Sequence, residues 1–302
     1  VSALKGKLVA LSVSDAPDRA RLGLPKREVD RALFSICTVM VRSGARIVYS
    51  GNLDPSGLTF TMFRHLAGAY VATGKAPFIH IIPEPVFRET TFDALGLVLR
   101  EGASVVETLV HIEGGLVPIR SVEDGLRVGR GASSVRLRND EEFRIWLEAK
   151  SQLDSASAFS AARESMTHVS QARVVLGGKM GLLDVPDDAY QGAMPGIVEE
   201  TLLALAADLP CVPLGAFGGA ARDVAIALHL LDPAKRVPRG EQSATYDASL
   251  RQVAAYRHRI PAHLESALKS LADDDRSEAM AYEIADLLEL WLTHQQALNS
   301  KE

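Results

Sequence analysis

Five short apolar runs constrain this chain more than any other feature: Leu8–Val13, Ala45–Tyr49, Pro77–Ile82, Arg173–Leu176 and Cys211–Leu214. Their length and β-branched content are those of strands buried on both faces, as in parallel sheets. Helical patterns lie between several of them. Leu33, Ile36, Cys37, Met40 and Val41 fall at i, i+3, i+4, i+7 and i+8 on one face, and Leu58, Met62 and Leu66 repeat the idea. Parallel neighbours need crossover connections, so alternating strand and helix predicts an α/β fold: a parallel sheet with helices on both faces.

A further strand is expected within Ser104–Ile112. The glycine-rich stretch Gly114–Gly131, through which Arg120, Arg127 and Arg130 are spread, reads as a loop or small insertion, and Asp140 to about His168 as largely helical. Beyond Asp232 the pattern breaks at Pro233, Pro238 and Gly240, and helices are predicted over Tyr246–Arg259, Pro261–Leu271 and Ser277–Leu298. Leu287, Leu288, Trp291 and Leu292 form an apolar stripe there. The expected organisation is a ligand-binding domain over 1–232 and a C-terminal helical appendage over 233–302.

At 302 residues and 47% hydrophobic the chain can bury a real core. Its formal charge of −5 offers no global attraction to polyanions, so neither nucleic acid nor an anionic membrane is an expected partner. No apolar run is long enough for a membrane span, and the basic–apolar–small order of a signal peptide does not open the chain. The expected location is the cytoplasm. Val1 in place of Met leaves open a preceding domain. Cys37 and Cys211 both lie in apolar segments and are expected as buried, reduced thiols. His65, His80, His111 and His168 lack metal-ligand spacings, so no metal is expected. Ser12 and Ser14 lack the G-x-S-x-G context of a hydrolase nucleophile.

In a parallel α/β sheet, ligands bind at the carboxyl edge of the strands. Four of the five runs reach that edge in small or glycine turns: Ser14–Asp15; Ser50, Gly51, Asn52 and later Gly57; Gly177, Gly178 and Lys179; Gly215, Gly218 and Gly219. Such turns aim backbone N–H groups at one anion while the next helix adds its positive end. This is neither a Walker loop nor a G-x-G-x-x-G fingerprint. Glycine turns are also ordinary βα connections, and the convergence of four of them is what favours a phosphate cradle. Pro195 stands at the first position of a helix whose stripe is Ile197, Val198, Thr201, Leu202 and Leu205. Glu199 and Glu200 fall outside that stripe: either they receive ribose hydroxyls, with Glu200 able to act as a general base, or they are a solvated helix start. Arg19 and Arg21 with Asp15 and Asp18 either cap a phosphate or form a surface ion-pair cluster.

The segments "LSVSD", "YSGNLDPSGLT", "VVLGGK" with "GAMPGIVEE", and "PLGAFGGAAR" together resemble the SLOG superfamily of Rossmann-like nucleotide-binding domains, over roughly Leu8–Leu231. The last segment is similar to its sensor branch, found with TIR and other effector domains in bacterial anti-phage systems. The resemblance implies a sensor of a nucleotide-derived signal, cyclic ADP-ribose-like or otherwise NAD-related, with no cofactor, acting as a homo-oligomer on an effector. Ser14, Asp15, Gly51, Asn52, Gly57, Thr59, Gly177, Gly178, Lys179 and Gly196 would hold phosphates, and Glu199 and Glu200 a ribose. The superfamily also holds LOG enzymes, which release the base from nucleoside monophosphates using P-G-G-x-G-T-x-x-E and an upstream arginine. Gly177–Gly178, Gly196–Ile197 and Glu200 look like that motif, and Arg163 like its arginine. Here Ile197 replaces Thr, and the seventeen residues Lys179–Pro195 separate glycines that are nearly adjacent in the enzymes.

Overall fold

A computed structural model describes residues 2–53, 57–69 and 75–300. In chain order the elements are β1 (Leu8–Ser14), α1 (Lys26–Arg42), β2 (Arg46–Ser50), α2 (Leu58–Ala69), β3 (Phe78–Ile82), α3 (Glu84–Glu89), α4 (Phe92–Glu101), β4 (Val106–Ile112), β5 (Gly115–Val122), β6 (Gly125–Val128), β7 (Val135–Leu137), α5 (Asp140–Glu148), α6 (Ser155–Val169), β8 (Ala172–Gly177), α7 (Gly196–Ala206), β9 (Cys211–Leu214), α8 (Gly219–Ala227), α9 (Ala244–Ala255), α10 (Glu265–Ala272) and α11 (Ser277–Asn299). All five apolar runs form strands, and the sixth expected strand is β4. The fold is α/β and Rossmann-like, as the alternation predicts.

The chain divides into two compact units. One comprises the residues up to Ala45 and those from Val169 onward; the other is Arg46–His168. In the first unit β1, β8 and β9 run parallel, with β8 between the other two. The predicted stripe of α1 is buried throughout, Leu33, Ile36, Cys37, Met40 and Val41 alike. The segment after Asp232 is helical as expected and belongs to this unit: α10 packs on β9 and α11 along α1. Leu287, Leu288, Trp291 and Leu292 are therefore covered by the chain's own core. Cys37 and Cys211 are free and buried, and burial pushes both thiols up to about 12, so neither is reactive at neutral pH.

In the second unit β2, β3 and β4 are parallel, and β4 continues into an antiparallel meander through β5, β6 and β7. Its core gathers Ile82, Phe87, Leu95, Val110, Ile119 and Phe143. The meander corrects the expectation of an irregular loop over Gly114–Gly131. Glu113 and Gly114 both take positive φ, 50° and 75°, the backbone of a tight hairpin turn whose twist matches the flanking strands. β5 hides from pattern reading because only Ile119 in it is fully buried, so it carries no sustained apolar alternation. The helical stretch expected from Asp140 is broken between α5 and α6. Among the described residues no helix is long and apolar enough to cross a membrane.

Candidate functional site

In the first unit, parallel register brings the carboxyl ends of β1, β8 and β9 to one edge, with Ser14 opposite Gly177 and Leu176 opposite Leu214. The turns that follow are knitted together by their backbones. Gly178 N donates to the Ser14 carbonyl at 3.0 Å, and Ala220 N donates to the Gly178 carbonyl at 3.1 Å. Gly178 has φ +107°, and a Cβ there would lie 2.6 Å from Ile197 Cγ1, so only glycine lets this turn reach the start of α7. Of the predicted site residues, Ser14, Gly177, Gly178 and the Gly196 end of α7 are thus assembled around one point. Pro195 is the residue before α7 rather than its first, and no side chain caps that helix. Its leading N–H groups are the backbone donors that an anion at this edge would meet.

Several neighbouring donors already have an internal anion. Asp188, from the stretch between Gly178 and Gly196, accepts from Met180 N at 3.1 Å and Leu182 N at 2.8 Å. Asp18 accepts from Gly219 N at 2.7 Å, at the start of α8. Both carboxyls are buried, and desolvation raises their pKa above the ordinary carboxylate value. Lys179 donates through Nζ to the Ala189 carbonyl at 2.8 Å. Asp15 is exposed and accepts from Arg19 Nε at 3.1 Å, while Arg21 donates to the Pro238 carbonyl. The four-residue cluster is therefore resolved into separate local contacts, with Asp18 alone turned into the core.

Glu199 and Glu200 are not a solvated helix start. Both are buried, and Leu202, expected on the apolar stripe, is only half-buried. The reason is that α7 packs against β1, β8, β9, α8 and α9, which leaves little of its circumference to solvent. Glu200 Oε2 accepts from Arg173 Nη1 at 2.8 Å, and Ser12 Oγ accepts from the same Nη1 at 2.6 Å. The Arg173 side chain is 0% exposed, so it is a full charge in the interior facing the glutamate. Pattern reading absorbed Arg173 into an apolar strand run. Its signal was a lone arginine among aliphatic residues, which has to find an acidic partner.

In the second unit Gly51 follows β2, and a Cβ on it would lie 2.6 Å from Thr59 Oγ1 and 2.3 Å from the Tyr49 ring. Gly51 and Thr59 are thus in contact. Asn52 is exposed and Gly57 precedes α2; residues 54–56 of this turn lie outside those described. The Gly51 carbonyl is 3.3 Å from His80 Nε2. Thr59 Oγ1 and His80 Nδ1 are buried without a hydrogen-bond partner among the described residues. Arg163, on α6, places its guanidinium over the Phe159 ring, 5.7 Å from the centroid. Among the described residues no three His, Cys, Asp or Glu side chains are grouped to hold a metal ion.

Burial lowers the His80 pKa from 6.5 to about 4, so the folded imidazole stays neutral, with Nε2–H donating to Gly51. As pH falls through the window from 6.5 to about 4, the unfolded chain binds a proton that the folded protein refuses. Stability is therefore expected to fall by about 3 kcal/mol across that window and to lose no more to this group below it. Urea unfolding at a series of pH values should show this slope in the wild type and its loss in His80→Gln. An unchanged slope in the variant refutes the assignment.

A family profile described as SLOG cluster2 matches residues 3–280. The chain belongs to the SLOG family. No curated protein and no solved structure matches it. The SLOG match extends past Leu231 through α9 and α10 into α11, so the family pattern includes most of the C-terminal helices. SLOG membership implies a nucleotide-related, LOG-like ligand-binding domain. Against the LOG motif, Gly178 of the SLOG glycine pair sits beside Ile197 although eighteen residues intervene. The intervening stretch folds back through Asp188 and is fastened to the start of α9 by Tyr190 Oη, 2.7 Å from Ser243 Oγ and 2.6 Å from Thr245 Oγ1.

Proposed function

We propose that this SLOG chain is a cytoplasmic sensor that binds a nucleotide-derived signal, cyclic ADP-ribose-like or otherwise NAD-related, and regulates an effector in bacterial anti-phage defence. The observation that carries the reading is a contrast at one helix. The N-terminus of α7 has no side-chain cap and meets the Gly178 turn, whereas Glu200, one turn further on, is engaged by buried Arg173. Such a helix start receives phosphate through backbone N–H groups and dipole, while a glutamate committed to a core ion pair is poorly disposed to take a proton from water. Signalling then requires the ligand to prefer one of two states of a homo-oligomer or of its contact with a TIR or other effector domain.

The test is a thermal-shift screen with NAD, ADP-ribose, its cyclic isomers, nucleoside monophosphates and cyclic dinucleotides. A ligand at a hundredfold excess over Kd stabilises the folded state by about 2.7 kcal/mol, enough to read as a shift. Gly178→Glu, which fills the turn with a side chain and a negative charge, is expected to reduce the shift in a protein that still unfolds cooperatively. An unaltered shift sinks the proposal.

A second reading is favoured by the retained positions of Gly177, Gly178 and Glu200. It is a LOG-type nucleotide N-glycosidase with Glu200 as its catalytic carboxylate. It predicts release of free base from a nucleoside monophosphate, lost in Glu200→Gln, and is dismissed if no base is released from any of them.

A further inference from the structure

The meander of the second unit sets three arginines opposite one another. Across β5 and β6 Arg120 stands directly opposite Arg127, and across β6 and β7 Arg127 stands directly opposite Arg136. The other face of the same strands carries Ile119, Leu126, Val128 and Leu137 into the core, so the arginines share the outward face. Like charges placed opposite one another in an antiparallel pair destabilise it. Arg136 is offset by Asp124, but the side chain of neither Arg120 nor Arg127 has a hydrogen-bond or ion-pair partner among the described residues.

Both arginines line a cavity of about 580 Å³, together with Arg130, Glu107, Ser121 and Ser134. The one carboxylate in this group is already committed on both oxygens. Glu107 Oε2 accepts from Arg46 Nη2 at 2.8 Å, and Oε1 from Arg130 Nη2 at 2.9 Å. Glu107 therefore leaves Arg120 and Arg127 uncompensated, and a chain whose formal net charge is −5 keeps a locally positive hollow here. The cavity lies at the amino end of β4, since Val106 and Thr108 line it. Thr108 is four residues, about 13 Å, from the carboxyl end of that strand at Ile112. It is thus remote from the strand edge to which Gly51 and Thr59 belong.

We infer that this hollow is a second binding site, for a small molecule bearing a diphosphate or triphosphate group. Two adjacent guanidinium forks match two adjacent phosphates through parallel charge-assisted hydrogen bonds, and the Ser121 and Ser134 hydroxyls border the same space. A volume of about 580 Å³ is that of a small-molecule site, within the usual range of roughly 300–1,000 Å³. Bound phosphate also relieves the repulsion between Arg120 and Arg127, so ligand and fold are mutually stabilising.

Isothermal titration of the full chain with inorganic pyrophosphate and with tripolyphosphate, at constant ionic strength, tests this. Saturable binding is expected, weakened about a hundredfold in Arg120→Gln/Arg127→Gln, because each lost arginine removes charge-assisted bonds worth about tenfold or more. Gly178→Glu is expected to leave this binding unchanged, which separates it from any failure at α7. The inference is overturned if wild type shows no binding, if the double variant binds equally, or if sulfate at the same ionic strength competes as well as pyrophosphate. It is also overturned if a labelled single-stranded oligonucleotide binds through the same arginines and pyrophosphate does not displace it, for the face would then serve nucleic acid.

Discussion

Arg173→Met is expected to lower the stability of the protein by about 3–5 kcal/mol, because it takes the Arg173 cation away from a Glu200 carboxylate that is largely cut off from water. The geometry makes this a demanding case. Arg173 is 0% exposed and the Glu200 side chain 12% exposed, and their bond is 2.8 Å long. A buried pair nevertheless adds little over a well-packed apolar pair, since both ions lose their hydration on folding. Replacing both residues in Arg173→Met/Glu200→Met should therefore recover most of the loss. Urea unfolding of the two single variants and the double variant closes a cycle in which the coupling between the positions is large. Purely additive effects would mean that the ion pair is not what holds α7 to β8. The cycle also informs function: a glutamate held by Arg173 in the core should leave ligand binding largely intact in any folded double variant.

Gly219→Ala should cost about 4 kcal/mol, in contrast to about 1–2 kcal/mol for Gly23→Ala, although both glycines have positive φ. Their φ values are alike, 64° and 72°. What differs is the space around a new Cβ. At Gly23 nothing lies within 4 Å, whereas at Gly219 it would stand 2.4 Å from the Gly178 carbonyl oxygen and 2.6 Å from the Gly177 carbonyl carbon. These are backbone atoms of the turn after β8, so relief requires moving the turn itself. Measured by urea unfolding, equal losses at the two positions would show that φ alone matters and that the two turns have more room than their geometry implies. If Gly219→Ala remains folded, the displaced Gly178 turn should also weaken any nucleotide-induced thermal shift.

Some elements were legible because their burial is periodic and local. The runs that became β1, β2, β3, β8 and β9 are flanked on both faces by other elements, so every residue in them tends to be apolar whatever its neighbours are. The stripe of α1 was legible for a similar reason, as one face meets the core and the other does not. β5 and β6 were not, because their outward face is arginine-bearing and β5 buries only one residue fully. α7 misled because the helical wheel assumes a single apolar face, while five elements of the first unit pack around it. A helix enclosed in that way buries carboxylates as well as aliphatics, and each buried carboxylate needs a donor from a distant part of the chain.

By itself, the sequence determined the α/β class, the strands and their glycine turns, because these follow from local chain stiffness and from which short runs avoid water. It also placed glycine at positions 178 and 219, where a side chain has no room. Only the tertiary structure decided which amides of those turns are taken up by the chain's own carboxylates. Asp18 reaches Gly219 across 201 residues, and Arg173 meets Glu200 between a strand and a helix. Such partnerships depend on distance after folding, and a charge in the interior is read correctly only once the group opposite it is known.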